Sequence, residues 1–187
     1  IGPSSADFQF DHNSAGANIS DDRDNLEAVL DESTGTFRSL GKNGAGVFIF
    51  GSAFSGTVTI WETTNGTCTG NKSGQCTHWP EAVDVYVGNT WDGNFSNLNL
   101  STNWTRLGTL GNAVASGSSG GTLNTGTGTF QYLLLIDKGL STSSPQDGFD
   151  VAMVKVSAVP IPAAFWLFGS ALLGMISLGR RHTSKSA

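Results

Sequence analysis

Up to residue 156 the hydrophobic positions come in short runs separated by glycine-rich breaks; beyond it they merge into one apolar block. Alternation with polar residues places successive side chains on opposite faces of a strand. Val83, Val85 and Val87 alternate with Asp84 and Tyr86, which predicts a half-buried strand. Tyr132–Ile136 is apolar throughout, which predicts a central strand covered on both faces. Val47–Phe50, Thr57–Glu62, Phe130–Ile136 and Val151–Val156 are further strand runs, and Phe8–Phe10, Phe37–Leu40 and Trp104–Leu110 add three more. In Thr57–Glu62 the inward set is either Val58 and Ile60 or Thr57, Thr59 and Trp61. One short helix is predicted at Asp24–Leu30, with Asp24 as N-cap and Leu26, Val29 and Leu30 on one side. Asn112–Gly128 is nearly all Gly, Ser, Thr and Asn, and reads as a loop with a short edge strand at Thr122–Asn124. These elements predict an all-β fold: an antiparallel β-sandwich or jelly roll followed by one C-terminal hydrophobic helix.

Composition narrows the class. Charged residues are 13% of the 187, well below the usual quarter. Hydrophobic residues stay at 38% with 10% aromatic, enough for a core. This excludes a coiled coil, a helical bundle, a basic nucleic-acid binder and a multi-domain enzyme. The net charge of −5 averages two unlike regions. All 15 acids lie between Asp7 and Asp150, while Arg180, Arg181 and Lys185 are the only charges beyond Val159. The division is a body over 1–156, a Pro-containing linker at 157–162, a hydrophobic helix at 163–179 and a basic tail at 180–187.

Ala163–Leu178 reads AAFWLFGSALLGMISL. With Pro162 as first helical residue it is about 17 residues, near the lower limit for crossing a bilayer. Basic residues beside a span stay cytoplasmic, so Arg180 and Arg181 place the acidic body outside. Ser170 and Gly174 form a small-xxx-small pair that suits close helix packing. Val159-Pro160-Ile161-Pro162-Ala163-Ala164, then Trp166-Leu167-Phe168-Gly169-Ser170, Leu172-Leu173-Gly174 and Arg180-Arg181, together resemble the VPxPA variety of the PEP-CTERM sorting signal. The resemblance implies a Gram-negative protein exported through an N-terminal signal peptide. It would be held in the inner membrane by the helix and processed by an exosortase near the Pro-rich motif, to reside at the cell surface or in the extracellular matrix. Ile161 stands where the commonest form has Glu, which leaves the matching processing enzyme open. The chain begins Ile1-Gly2-Pro3, without Met or a basic leader, so a start behind a removed signal is expected.

The body carries a second likeness. Phe37-Arg38-Ser39-Leu40-Gly41, Thr59-Ile60-Trp61-Glu62-Thr63-Thr64, Glu81–Asn89, Leu107-Gly108, Leu134-Leu135-Ile136-Asp137 and Asp147-Gly148-Phe149-Asp150-Val151 occur in an order similar to a galactose-binding-like jelly-roll domain. The resemblance implies a β-sandwich over most of residues 35–156 and makes carbohydrate contact conceivable.

Few residues offer chemistry. Cys68 and Cys76 bracket a short loop, and in an exported chain a disulfide is expected; metal binding with His78 is the rival. No cofactor is required, but a structural calcium has two candidate sites: Asp21, Asp22 and Asp24, and Asp137, Asp147 and Asp150. Trp79 and Trp91 lie in predicted loops and are candidates for stacking on a glycan, whereas Trp61 and Trp104 are expected in the core. Asn-x-Ser/Thr sequences occur at Asn18, Asn65, Asn71, Asn94, Asn99 and Asn103. Gly117–Gly121 matches the hydrolase G-x-S-x-G without a strand to feed it, and His12, His78 and His182 are scattered, so no catalytic residue is assigned. The leading reading is a non-enzymatic exported surface protein whose partners are the inner membrane and an exosortase. The first alternative is a self-assembling filament or sheath subunit joined through the C-terminal helix. The second is an exopolysaccharide-binding module. No nucleic acid is expected as partner.

Overall fold

The computed structural model describes residues 8–11, 37–63, 80–112, 119–140 and 148–159. They form seven antiparallel strands: β1 (Phe8–Asp11), β2 (Arg38–Ser39), β3 (Ala45–Glu62), β4 (Ala82–Gly88), β5 (Trp104–Gly111), β6 (Ser119–Asp137) and β7 (Asp150–Ala158). Hydrogen bonding runs in the order β2-β7-β3-β6-β4-β5, with β1 on β3. The fold is all-β and antiparallel. The Asp24–Leu30 helix, both cysteines, all three histidines, Asp21, Asp22, Asp24, Trp79, Asp147 and the tail from Pro160 through Ser170, Gly174, Arg180 and Arg181 lie outside the described residues. Among the described residues no helix is long and apolar enough to cross a membrane.

Two predicted strands prove to be one. Val47–Phe50 and Thr57–Glu62 belong to the 18-residue β3, which would be ~60 Å long if straight. It bends instead. Its register against β6 shifts between Ile49 and Phe54, again between Phe54 and Gly56, and again between Gly56 and Thr57. Gly56 sits at φ +88, where a side chain is strained. β6 bends with it, so both long strands serve two layers. Ala45–Ile49 pairs with Tyr132–Ile136, and β4 and β5 extend that layer beyond β6. Thr57–Glu62 pairs with Ser119–Asn124 and with β7, and β2 extends that layer beyond β7.

The predicted loop at Asn112–Gly128 is corrected by the same pairing. Residues 119–128 are the first half of β6; Thr122 faces Thr59 on β3, and this half pairs with no other strand among the described residues, so the edge strand expected at Thr122–Asn124 is present and longer than its sequence shows. Gly120 and Gly121, which read as loop residues, are strand residues in close contact with a neighbouring backbone or side chain.

The layers bury one core between them. Phe48, Val83, Val85, Val87, Leu133 and Leu135 from one layer join Val58, Ile60, Val151, Val154 and Val156 from the other. Val58 and Ile60 therefore form the inward set of their strand, and Thr57, Thr59 and Trp61 point outward. Each such buried side chain contributes roughly 1.5–3 kcal/mol relative to exposure. Phe50, Phe54 and Phe130 fill the bend, with ring centroids 5.0 Å apart for the first pair and 6.2 Å for the second. Leu134 is fully buried on the outer side of its layer, so the strand is covered on both faces as its continuous apolarity requires.

The bend defines one end of the sandwich. β7 finishes there, with Ala158 opposite Phe54, and so does β4, whose Gly88 pairs with Tyr132. The opposite end is tied by Asp137. This carboxylate, 4% exposed, accepts backbone N–H bonds from Asn43 at 2.8 Å, Gly139 at 2.6 Å and Phe149 at 3.0 Å. It joins the β2–β3 turn, the end of β6 and the approach to β7.

Candidate binding site in the β4–β5 connection

Residues 89–103 connect β4 to β5 at the bend end. Their apolar side chains fix where they lie. Trp91, Phe95, Leu98 and Leu100 pack on a second cluster outside the first layer, built on Ala45, Val47, Trp104 and Leu134. Trp91 makes edge-on ring contacts with Phe95 at 4.9 Å and Trp104 at 6.1 Å, the geometry aromatic quadrupoles favour.

Between these anchors the polar residues shape the turns. Asp92 Oδ1 accepts from the Asn94 backbone N–H, and Asp92 Oδ2 accepts from Asn97 Nδ2, both at 2.9 Å. Asn94 Oδ1 caps one 3-10 turn, Phe95–Asn97, through the Ser96 N–H at 2.9 Å. Asn99 Oδ1 accepts from Ser101 Oγ at 2.8 Å and from its N–H at 3.2 Å. Short amides and carboxylates holding their own following backbone are the usual cement of such turns. The bonds from Asn97 and then Asn94 hold the Asp92 carboxyl below the usual Asp range, so it stays ionised.

The result is a cavity of about 200 Å³. Trp91, Trp104 and Leu98 supply its apolar wall; Asp92, Asn97, Asn99, Asn103 and Thr90 supply donors and acceptors. An indole offers a flat apolar surface to the C–H face of a pyranose, and amides with a carboxylate can exchange hydrogen bonds with its hydroxyls. Asn89 Nδ2 donates to Thr129 O at 2.9 Å and ties the connection to β6.

A second polar cluster lies beside this face. Asp84 Oδ1 accepts from Arg106 Nη2 at 2.8 Å and from the Thr109 hydroxyl, and Asp84 Oδ2 accepts from Lys138 Nζ at 3.1 Å. Partial burial pushes the Asp84 carboxyl up, but the bonds from Thr109, Arg106 and Lys138 outweigh it and leave it lowered. With both cations already on one carboxylate, the group reads as a cross-strand brace over β5, β4 and the segment after β6.

Of the predicted site residues, Trp91 takes a place in the cavity wall. Asp137 and Asp150 lie near the other end of the sandwich, buried at 4% and 2%. Both Asp137 oxygens are occupied by backbone donors, and among the described residues no three His, Cys, Asp or Glu side chains gather as a metal site. Val159 is 38% exposed just past β7. Trp104 is buried at 7%, but the expectation that Trp61 belongs to the core is corrected: it is half-buried on the outer face of the second layer. Sequence reasoning did not single out Asp92, Asn97, Asn99 and Asn103 as pocket residues. Asn99 and Asn103 drew notice only as glycosylation sequences, although Asp92-Gly93-Asn94 is a turn signature beside Trp91.

No family model matches the chain, and no curated protein matches it. Solved structures do show likeness. The CBM32 of AlyQ in complex with 4,5-unsaturated mannuronic acid has a TM-score of 0.48 at 12% identity, covering 79% of this chain and 92% of that one. The C-terminal domain of a chitobiase from Bacteroides fragilis gives 0.48 at 14%, covering 86% and 99%. Chitosan-binding module 1 from the chitosanase/glucanase of Paenibacillus sp. IK-5 gives 0.45 at 15%, covering 84% and 96%. Likenesses this remote transfer neither a ligand nor a residue's role.

Proposed function

We propose that the chain is a non-enzymatic exported protein whose β-sandwich holds polysaccharide in the Trp91 cavity. The observation that carries this is the lining itself: two indoles beside three asparagine amides, a threonine hydroxyl and a carboxylate. Such an apolar wall with a few polar groups suits a hydroxyl-rich ligand. The ionised Asp92 at its rim repels anions, so the cavity takes a neutral sugar. The test is calorimetric titration of the full chain, in non-ionic detergent micelles, with a neutral galactan. Trp91→Ala is expected to weaken binding at least about tenfold, as loss of an anchoring Trp does. Trp91→Phe keeps a ring against Phe95 and Trp104 and is expected to retain the fold with an intermediate affinity. Equal affinity of Trp91→Ala and parent would dispose of the site.

A sorting role at the membrane stands beside this reading. It is supported by the order of Val159, Pro160, Pro162 and the Arg180-Arg181 pair around an uncharged apolar run. Expressed in an exosortase-bearing host, the body should be recovered from the surface fraction with a mass that ends near the Pro-rich motif. Pro160→Ala/Pro162→Ala should stay uncleaved in the inner membrane. An intact tail on surface material from both proteins would reject sorting and favour a helix buried between copies in a filament.

A further inference from the structure

We propose a second polysaccharide surface, on the outer face of the β2-β7-β3-β6 layer, that takes an acidic, uronate-bearing chain. It goes beyond the Trp91 reading and stands on different residues. Because Val58 and Ile60 enter the core, Thr57, Thr59 and Trp61 project outward from the same strand. Register carries that face across the layer: Thr59 lies between Thr122 on β6 and Lys155 on β7, and Trp61 lies between Gly120 and Met153. The Thr57 and Ser157 hydroxyls are 2.7 Å apart, and those of Thr59 and Thr122 are 2.9 Å apart. Each hydroxyl can turn to donate or accept, so the pairs form a row that can trade bonds with sugar hydroxyls.

Trp61 is the anomaly of this face. This indole, the one Trp of the strand, is half-buried on a face it shares with Thr57 and Thr59, and Gly120 opposite offers no side chain to cover that flank. A flat indole beside a hydroxyl row is what stacking on a sugar ring requires. The face lines a trough of about 470 Å³. From Thr57 to Trp61 it extends ~13 Å along β3, long enough for more than one ring.

The charge chooses the class of polysaccharide. Among the described residues Lys155 is the one charged residue lining the trough, and it is exposed. That cation complements a carboxylate-bearing chain, whereas the Asp92 carboxylate lining the other site does not. The Trp91 site lies outside the first layer and Trp61 outside the second, so one domain presents a neutral-sugar pocket and an acidic-sugar platform on different faces.

The experiment titrates the full chain in non-ionic detergent micelles with polygalacturonate and, separately, with neutral galactan. The parent binds polygalacturonate, more weakly as salt rises. Trp61→Ala is expected to weaken polygalacturonate at least about tenfold, the loss typical of an interface Trp. Lys155→Glu, at an exposed position that leaves the fold unchanged, weakens polygalacturonate alone and decides the matter should Trp61→Ala fail to fold. Trp91→Ala leaves polygalacturonate binding unchanged. The proposal is overturned if the parent ignores polygalacturonate, or if Trp61→Ala and Lys155→Glu bind it as the parent does. Loss of both polysaccharides in Trp91→Ala, with Trp61→Ala and Lys155→Glu binding as the parent does, overturns this surface and keeps the first site; loss of polygalacturonate in Trp61→Ala and Lys155→Glu, with galactan binding unmoved by Trp91→Ala, does the reverse.

Discussion

Asp137→Ala lowers the stability of the domain by about 4 kcal/mol, because removal of one carboxylate strands three backbone donors at roughly 1–3 kcal/mol each. The donors are the N–H groups of Asn43, Gly139 and Phe149, at 2.8, 2.6 and 3.0 Å. They belong to three chain segments that the one carboxylate holds together. With an m-value of about 2 kcal/mol/M the urea midpoint falls by about 2 M. Asp137→Asn retains one acceptor oxygen but turns an amide donor toward the remaining N–H. It is expected to lose about half as much. A midpoint for Asp137→Ala within about 0.3 M of the parent would show that the knot is decorative.

Gly120→Ala should cost about 3 kcal/mol or more, since the new methyl group meets both a steric and a conformational barrier. A Cβ at this position would collide with the Ile60 carbonyl oxygen and lie 3.2 Å from the Trp61 Cα, on a residue whose φ is +109. The obstacle is backbone of the adjacent strand, which cannot swing aside as a side chain can. Gly51→Ala supplies the comparison: nothing lies within 4 Å of its Cβ, and its φ is not in the positive range. It should change stability by less than about 0.5 kcal/mol. Matching urea midpoints for the two variants would reject the account of Gly120. Amide exchange should localise the damage in Gly120→Ala to the β3–β6 pairing around Ile60 and Trp61.

These positions mark the limit of what the alternation pattern carried. Val83, Val85 and Val87 faced the core as their spacing required, and Tyr132–Ile136 was covered on both sides. The breaks were harder. Gly51 and Gly56 resemble the ends of two strands, yet the strand runs on through both, and Gly56 at φ +88 is the one whose backbone lets it turn a corner. Gly120 and Gly121 resemble a linker for the same compositional reason, yet they serve close approach between paired strands. Glycine frequency records that a backbone is unusual; it does not record whether the cause is a turn, a bend or a neighbour. Period-two spacing also offers two faces without naming the buried one, and that ambiguity put Trp61 in the core. In the candidate site Trp91 was legible as an aromatic in a turn-rich segment. Its companions were not, because Asp92, Asn97, Asn99 and Asn103 meet only after the segment folds back on β4 and β6.

The exit of β7 sets the attitude of the domain. Ala158 ends opposite Phe54, at the same pole as Phe130 and the connection that carries Trp91. Four residues, 159–162, separate Ala158 from the apolar block, a stretch that can span at most ~14 Å. Were the block 163–178 seated in a bilayer, as the sorting proposal requires, so short a connection would hold the Trp91 pole close over the lipid headgroups and aim the Asp137 pole outward. The Trp61 platform, on the flank, stays open sideways along the surface. Under that proposal, severing the chain at the proline motif would free the sheltered pole. Processing of the tail would then alter which sugars the domain can reach as well as where it resides.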